Sequence, residues 1–200
     1  MTGRSETPQP RVDPRISRSR AAVLTAAVQL LGERGVAGTT IEAVADRSGV
    51  AKTTIYRQWS GQPALVLDAF SSLLAPPPIP DTGTVREDLV QLLDGLAHAL
   101  TGPAGVLMPA LLDAAERDPA FTTLHQAEAR DRHSAVRTVV TRAIERGQLP
   151  FDVDVDLAVD LLAGPLFHRR WFAAAAVDSH LVAGVVDGVL RIFEAAHGDG

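Results

Sequence analysis

The amino-acid sequence predicts an all-α protein. Only 4% of its residues are aromatic, 46% are hydrophobic, and alanine and leucine are abundant, a composition typical of helical globular proteins. Apolar residues recur at helical spacing in most segments, and no segment alternates convincingly in the manner of a half-buried strand. A chain of 200 residues is long enough for one large domain or two small ones, with a buried core.

Proline, glycine and polar residues divide the chain into three parts. Residues 1–14, MTGRSETPQPRVDP, are polar and predict a disordered tail. Residues 15–62 contain three short helical patterns, whereas residues 63–200 contain longer ones. The stretch APPPIPDTG, residues 75–83, predicts a stiff connector near the start of the third part.

Several classes of protein are disfavoured by what the sequence lacks. It has no cysteine, which excludes disulfides, zinc–thiolate sites and a thiol nucleophile. It has no Gly-x-Ser-x-Gly, His-Glu-x-x-His or Gly-rich phosphate loop, so we predict no enzyme activity, no cofactor and no metal. No apolar run reaches the roughly 20 residues of a membrane span, and the N-terminus has no hydrophobic signal core. We therefore predict a cytoplasmic protein with no membrane partner.

Charge is distributed unevenly along the chain. The net charge is −5, but residues 1–62 carry nine basic and five acidic side chains, a local net charge of +4, which leaves −9 for the rest. This split indicates a nucleic-acid-facing end and a body that discourages non-specific association. Lys52, the only lysine, lies in the basic part.

The first helix of the basic part is predicted from Ile16 to Arg34, and Gly35 ends it. Arg18 and Arg20 lie near its start. They are placed to contact DNA phosphate or, together with the tail, the minor groove. Ordinary solvated arginines are the equally weighted alternative.

The stretch Thr39 to Trp59, TTIEAVADRSGVAKTTIYRQW, predicts two short helices separated by Ser48-Gly49-Val50. Gly49 lies where a chain that leaves a helix often needs positive φ, a conformation open to glycine. Thr39 and Glu42 fit a capping box, so the first of these helices begins at Thr39 or one residue later. The second helix has an unusually polar face. Helices this short form either an ordinary αα corner or a helix-turn-helix, whose second helix enters a DNA major groove.

The pattern Thr-Ile-x-x-Val-Ala-x-x-x-Gly-Val-x-x-x-Thr-Ile-Tyr-x-x-Trp resembles the DNA-binding domain of the TetR family of transcriptional regulators, over about Ile16 to Phe70. In that family a tyrosine and a following aromatic residue end the recognition helix, as Tyr56 and Trp59 do here. The family usually has a phosphate-binding lysine shortly after the aromatic residue. Gln62 stands at that place, which predicts a lost or weakened phosphate contact.

The resemblance implies a function and a set of DNA contacts. It implies a homodimeric repressor that binds a roughly palindromic double-stranded operator and is released by a small-molecule effector. The residues expected mostly to hold phosphates are Thr40, Lys52, Thr54, Tyr56 and Arg57, and those expected to read base edges are Thr53 and Arg57. The rival interpretation is a helical small-molecule carrier or enzyme in which the helix-turn-helix is only structural.

By the same resemblance, residues 63–200 form a helical effector-binding and dimerisation domain. Thr84 and Glu87 fit a capping box, and Asp118-Pro119 is a strong start signal for a long helix. Two helices close the chain, at about 154–175 and 178–196, and the apolar surface of the last is too wide for one-sided packing. The resemblance implies that these two helices pair with those of a second chain. A core within one chain is the alternative.

An effector is expected among the central helices, as the resemblance implies. An apolar cavity with a few polar groups suits a small hydrophobic molecule. Each candidate residue taken singly is more often plain core. The candidates are Leu93, Leu96, Met108, Leu112, Phe121, Leu124, His125, Phe167 and Trp171.

Overall fold

The computed structural model describes residues 14–74 and 79–198, except for the side chains of residues 14–16, 128, 131, 132 and 195–198. All regular structure in these ranges is helical, as the composition predicts. The tail predicted for residues 1–14 lies outside the described residues apart from Pro14, the first residue of α1 (Pro14–Gly38). The chain divides into two compact units after Ala69, within a helix that starts at the predicted boundary, Gln62.

The first unit contains α1, α2 (Ile41–Ser48), α3 (Lys52–Gln58) and most of α4 (Gln62–Ser71). The regular helix of α1 ends at Gly35, as predicted. Gly35 adopts φ 67° and ψ −172°, a non-helical backbone open to glycine but strained for other residues, and a separate short helical segment follows this kink as far as Gly38. The buried Thr39 hydroxyl donates to the Gly35 carbonyl at 2.8 Å, which ties the end of α1 to the kink.

The start of α2 is set by Thr40, the second of the two predicted positions. Its hydroxyl oxygen accepts a hydrogen bond from the Ala43 amide at 3.1 Å. Thr39 therefore caps the end of α1, and Thr40 caps the start of α2. The buried apolar residues of this unit include Val23, Ala27, Leu30, Ile41, Val44, Ile55, Trp59, Leu65 and Val66.

The second unit contains α5 (Val85–Thr101), α6 (Pro103–Arg117), α7 (Pro119–Glu145), α8 (Val155–Phe167) and α9 (Ser179–Gly198). Two predicted N-caps are present: the Thr84 hydroxyl accepts from the Glu87 amide, and the Asp118 carboxylate accepts from the Ala120 amide. The helix predicted to reach residue 175 ends earlier. The α-helix stops at Phe167, and a π-helical turn, His168–Phe172, continues it.

The core of the second unit lies among α5, α7, α8 and α9. Its most buried residues include Leu89, Leu93, Val140, Leu162 and Val186. Part of the wide apolar surface of α9 therefore packs within the chain, while Ile192 on the same helix is 52% exposed. No single described helix is long and apolar enough to cross a membrane; α5 and α6, bent by 76° from each other, meet that criterion only as a pair.

Candidate nucleic-acid interface

The turn between α2 and α3 has the geometry that the sequence predicts for Gly49. This glycine adopts the left-handed conformation, φ 69° and ψ 12°, and its amide donates to the Ala45 carbonyl at 3.0 Å. A residue with a Cβ would be strained there. The chain therefore leaves α2 sharply and begins α3 at Lys52.

Two buried side chains fix the orientation of α3. Ile55 is fully buried and Trp59, directly after the helix, is 4% exposed. The opposite face is open to solvent: Lys52, Thr53 and Arg57 are exposed, and Tyr56 is 54% exposed. A large phenol and a guanidinium on the outer face of an anchored helix are available to a partner.

The remaining predicted DNA contacts lie on or beside this surface. Thr54 is partly buried on α3. Thr40, also partly buried, uses its hydroxyl oxygen as the α2 cap, and its hydroxyl proton is still able to donate to a phosphate. Arg18 is exposed on α1.

Arg20 is held inside the first unit by a network that the sequence did not predict. Its guanidinium pairs with the Asp68 carboxylate at 2.7 and 2.8 Å and lies 5.4 Å from the centre of the Trp59 ring. Trp59 Nε1 donates to the same carboxylate at 2.7 Å. Arg20 thus has a structural role, and its predicted contact with DNA remains a prediction. A buried tryptophan usually needs an acceptor for its Nε1–H, but spacing in the sequence does not tell which residue supplies it when the partners are far apart along the chain.

Other cations of the first unit also face carboxylates. Arg47 makes a two-point contact with Glu33, with both distances 2.7 Å, and this hydrogen bond lowers the pKa of Glu33 and raises that of Arg47. Lys52 Nζ lies 3.2 Å from Glu42 Oε1. Arg57, by contrast, makes no ion pair with any described residue, which leaves its full donor set for a ligand.

Gln62 has a contact of its own in place of the lysine usual in the family. Its Nε2 donates to the Val36 carbonyl at 2.8 Å, which joins the start of α4 to the last turn of α1. Val36 follows the kink at Gly35, where the regular ladder of α1 is interrupted. The Val36 carbonyl therefore accepts two hydrogen bonds, one from Gln62 and one from the Thr39 amide at 3.0 Å.

The nine effector candidates differ in accessibility. Leu93, Met108 and Phe121 are buried, and Leu112 is 42% exposed. The other five are partly buried: Leu96, Leu124, His125, Phe167 and Trp171. The rings of Phe167 and Trp171 lie 5.3 Å apart against the core of the second unit.

Two shallow surface depressions are formed by other residues. One, of about 530 Å³, lies between α1 and α2, and the other lies at residues 147–150 beside Glu194. The effector site thus remains a prediction. Among the described residues, no group of three histidine or acidic side chains is placed to hold a metal ion.

Two family models match successive parts of the chain. Residues 23–69 match the model of bacterial regulatory proteins of the tetR family, and residues 79–189 match that of the tetracyclin repressor-like C-terminal domain. The HTH-type transcriptional regulator YdeS of Bacillus subtilis is 30% identical over 175 residues, which cover 86% of this chain and 88% of that protein.

The chain is also similar to a named repressor and to a protein of known structure. The DNA-binding transcriptional repressor TetR of Mycobacteroides abscessus is 30% identical over 176 residues, 86% of this chain and 92% of that one. The crystal structure of the TetR family regulator SCO0332 superposes with a TM-score of 0.70 at 37% identity, over 87% of this chain and 97% of the other. With an anchored helix-turn-helix followed by a matching helical body, this chain belongs to the TetR family of helix-turn-helix transcriptional regulators.

Proposed function

We propose that the protein is a repressor that binds an inverted-repeat operator through the exposed face of α3. The observation that carries this proposal is the exposed position of Tyr56 and Arg57 on a helix anchored by buried Ile55 and Trp59. Lys52, Thr54 and Tyr56 would hold phosphates, and Thr53 and Arg57 would reach base edges. The relationship to the repressor of Mycobacteroides abscessus supports repression rather than activation.

The experiment is a mobility-shift titration with DNA that flanks the coding region and contains an inverted repeat, in the presence of non-specific competitor. Wild-type protein should retain the repeat, and Arg57→Ala should weaken binding by about 1–3 kcal/mol if the guanidinium reads a base. Arg117→Ala is the matched control, because Arg117 is an exposed arginine of the second unit that forms an ion pair with Asp113 in its own helix. Unchanged affinity of Arg57→Ala would remove α3 as the reading helix.

We also propose that two chains pair through α8 and α9. Large apolar side chains remain exposed on both helices, with Leu157 on α8 at 47% and Ile192 on α9 at 52%. Next to Ile192 along α9, Val189 and Phe193 are buried within the chain, so an intrachain core accounts for only one side of the helix. Two copies are also what an operator with two half-sites requires.

Ile192→Glu tests this interface, because the carboxylate would be desolvated there on dimerisation. We expect the variant to sediment as a monomer and to lose the cooperative occupation of both half-sites. Val106→Glu is the control, since Val106 is 68% exposed on α6. If Ile192→Glu remains dimeric, the interface lies elsewhere.

The proposed effector is a small hydrophobic molecule that contacts the nine candidate residues. The partly buried Phe167 and Trp171 pair supports this, because two aromatic rings at the edge of a core offer contact area to an apolar ligand. Such a ligand releases the operator only if it binds the DNA-incompetent form more tightly. In a Trp59→Phe variant, quenching of Trp171 fluorescence would report effector binding. If compounds that release the operator leave Trp171 fluorescence unchanged, the effector does not bind beside Trp171.

A further inference from the structure

A carboxylate lies beside one of the cations that we place against DNA. Lys52 is the first residue of α3, and its Nζ donates to Oε1 of Glu42, in the first turn of α2, at 3.2 Å. Both side chains are about half exposed, 49% for Lys52 and 57% for Glu42. A phosphate that approaches Lys52 therefore meets the carboxylate at the same time.

Glu42 is ionised when this happens. Its own backbone amide and, after it, the Lys52 ammonium lower the pKa of the carboxyl below its ordinary value. The carboxylate also lies at the positive end of α2, where it offsets partial charge that favours an anion. The start of α2 and the start of α3 are thus less attractive to phosphate than the basic sequence suggests.

We propose that Glu42 competes with DNA phosphate for Lys52 and thereby limits the affinity of the protein for every duplex. The proposal rests on the phosphate contact of Lys52 in the proposed function. While Lys52 stays paired with Glu42 it makes no phosphate contact, so no condensed cation is released at this position. A lysine freed from the pair would contribute about 0.9 to the salt slope.

Other cations near α3 are also paired with carboxylates. Arg47 is neutralised by Glu33, and Arg20 by Asp68. Of the residues that we place against DNA, Arg57 is a cation without an ion pair to any described residue. Recognition then depends more on the contacts of Arg57 and Thr53 than on summed charge, and Glu42 is the residue that sets this balance at the start of α3.

The test is a salt titration of full-length protein against one short fluorescent duplex of arbitrary sequence, followed by anisotropy. Glu42→Gln should bind about five-fold more tightly at fixed salt, the upper range for breaking an exposed ion pair. It should also steepen the dependence of log K on log salt by about 0.9. Asp46→Asn is the matched control, because it removes one negative charge from the exposed side of the same helix without releasing a described cation.

A second background separates competition from bulk charge. In Lys52→Gln protein, Glu42→Gln should tighten binding no more than Asp46→Asn does. The proposal is overturned by an unchanged slope in Glu42→Gln, by an equal effect of Asp46→Asn, or by a full effect in the Lys52→Gln background. Arg57→Ala reports separately on the proposed function: if it leaves operator binding unchanged, α3 is not the reading helix even where the Glu42 results hold.

Discussion

Asp68 joins three elements of the first unit, and its removal should destabilise that unit. Its carboxylate pairs with Arg20 of α1 and accepts a hydrogen bond from Trp59 Nε1 at 2.7 Å. The ion pair is partly exposed, 45% for Arg20 and 26% for Asp68, so it contributes at most about 1 kcal/mol. The tryptophan bond matters more, because Trp59 is 4% exposed and an unpaired buried N–H costs about 1–3 kcal/mol.

We therefore expect Asp68→Ala to lower the free energy of unfolding of this unit by about 2–3 kcal/mol. Asp68→Asn should cost about 1 kcal/mol, because the amide oxygen still accepts from Trp59 while the charge is lost. Denaturant unfolding followed by Trp59 fluorescence in a Trp171→Phe background measures this locally. Equal losses in the two variants, or a loss below about 0.5 kcal/mol in Asp68→Ala, would refute the role given to the tryptophan bond.

Three further changes test other parts of the structure. Gln62→Lys should tighten binding to all DNA and steepen the salt slope by about one, with Gln62→Met as the uncharged control; an unaltered slope means that the position never meets phosphate. The hydrogen bond from Arg146 and the charge of Arg142 hold the pKa of Asp81 below its ordinary 3.8. The stabilisation is therefore complete above pH ~3.8 and is lost as pH falls through the lowered folded value, so Asp81→Asn should flatten the acid limb of the unfolding midpoint against pH. In Gly105→Ala the new Cβ would lie 1.9 Å from the Leu100 carbonyl oxygen, so we expect a loss of about 1–3 kcal/mol in thermal unfolding. Gly32→Ala, with open space around the site, should lose nothing.

Sequence reasoning succeeded where the determinant is local. The caps at Thr84 and Asp118 and the left-handed Gly49 each depend on a few adjacent residues, and all three are present. The end of the regular helix at Gly35 is equally local, because a glycine with positive φ is enough to break the helical backbone. The early end of α8 in a π-helical turn has no comparable local signature.

The site was predictable in outline and not in its pairings. The polar residues of α3 could be assigned to one face from their spacing, and the structure exposes Lys52, Thr53, Tyr56 and Arg57 together. Which carboxylate each cation meets depends on how α1, α2 and α4 pack, so the partners of Arg20 and Lys52 did not follow from the sequence. An effector cavity depends on the space that side chains leave, which periodicity does not describe.

The second half of the proline-rich connector is fastened to the second unit by polar contacts. The amide and hydroxyl of Thr82 both donate to Asp88, at 2.7 and 2.8 Å, and Asp88 is 2% exposed. A buried carboxylate destabilises the fold unless it is hydrogen-bonded. The start of α5 at Asp88 is therefore stable only while Thr82 stays in place, and the bonds to Asp88 in turn hold Thr82. Gln148 adds a bond to the Gly83 carbonyl at 2.7 Å.

Residues 80 and 81 of this segment are held by the C-terminal end of α7. Arg142 pairs with Asp81 at 3.0 Å and donates to the Pro80 carbonyl, and Arg146 pairs with Asp81 at 2.8 Å. Three of the effector candidates lie near the other end of the same helix: Phe121, Leu124 and His125. The contacts of Arg142 and Arg146 tie residues 80 and 81 to the C-terminal end of α7. We therefore expect an effector that shifts α7 to move this end of the connector as well.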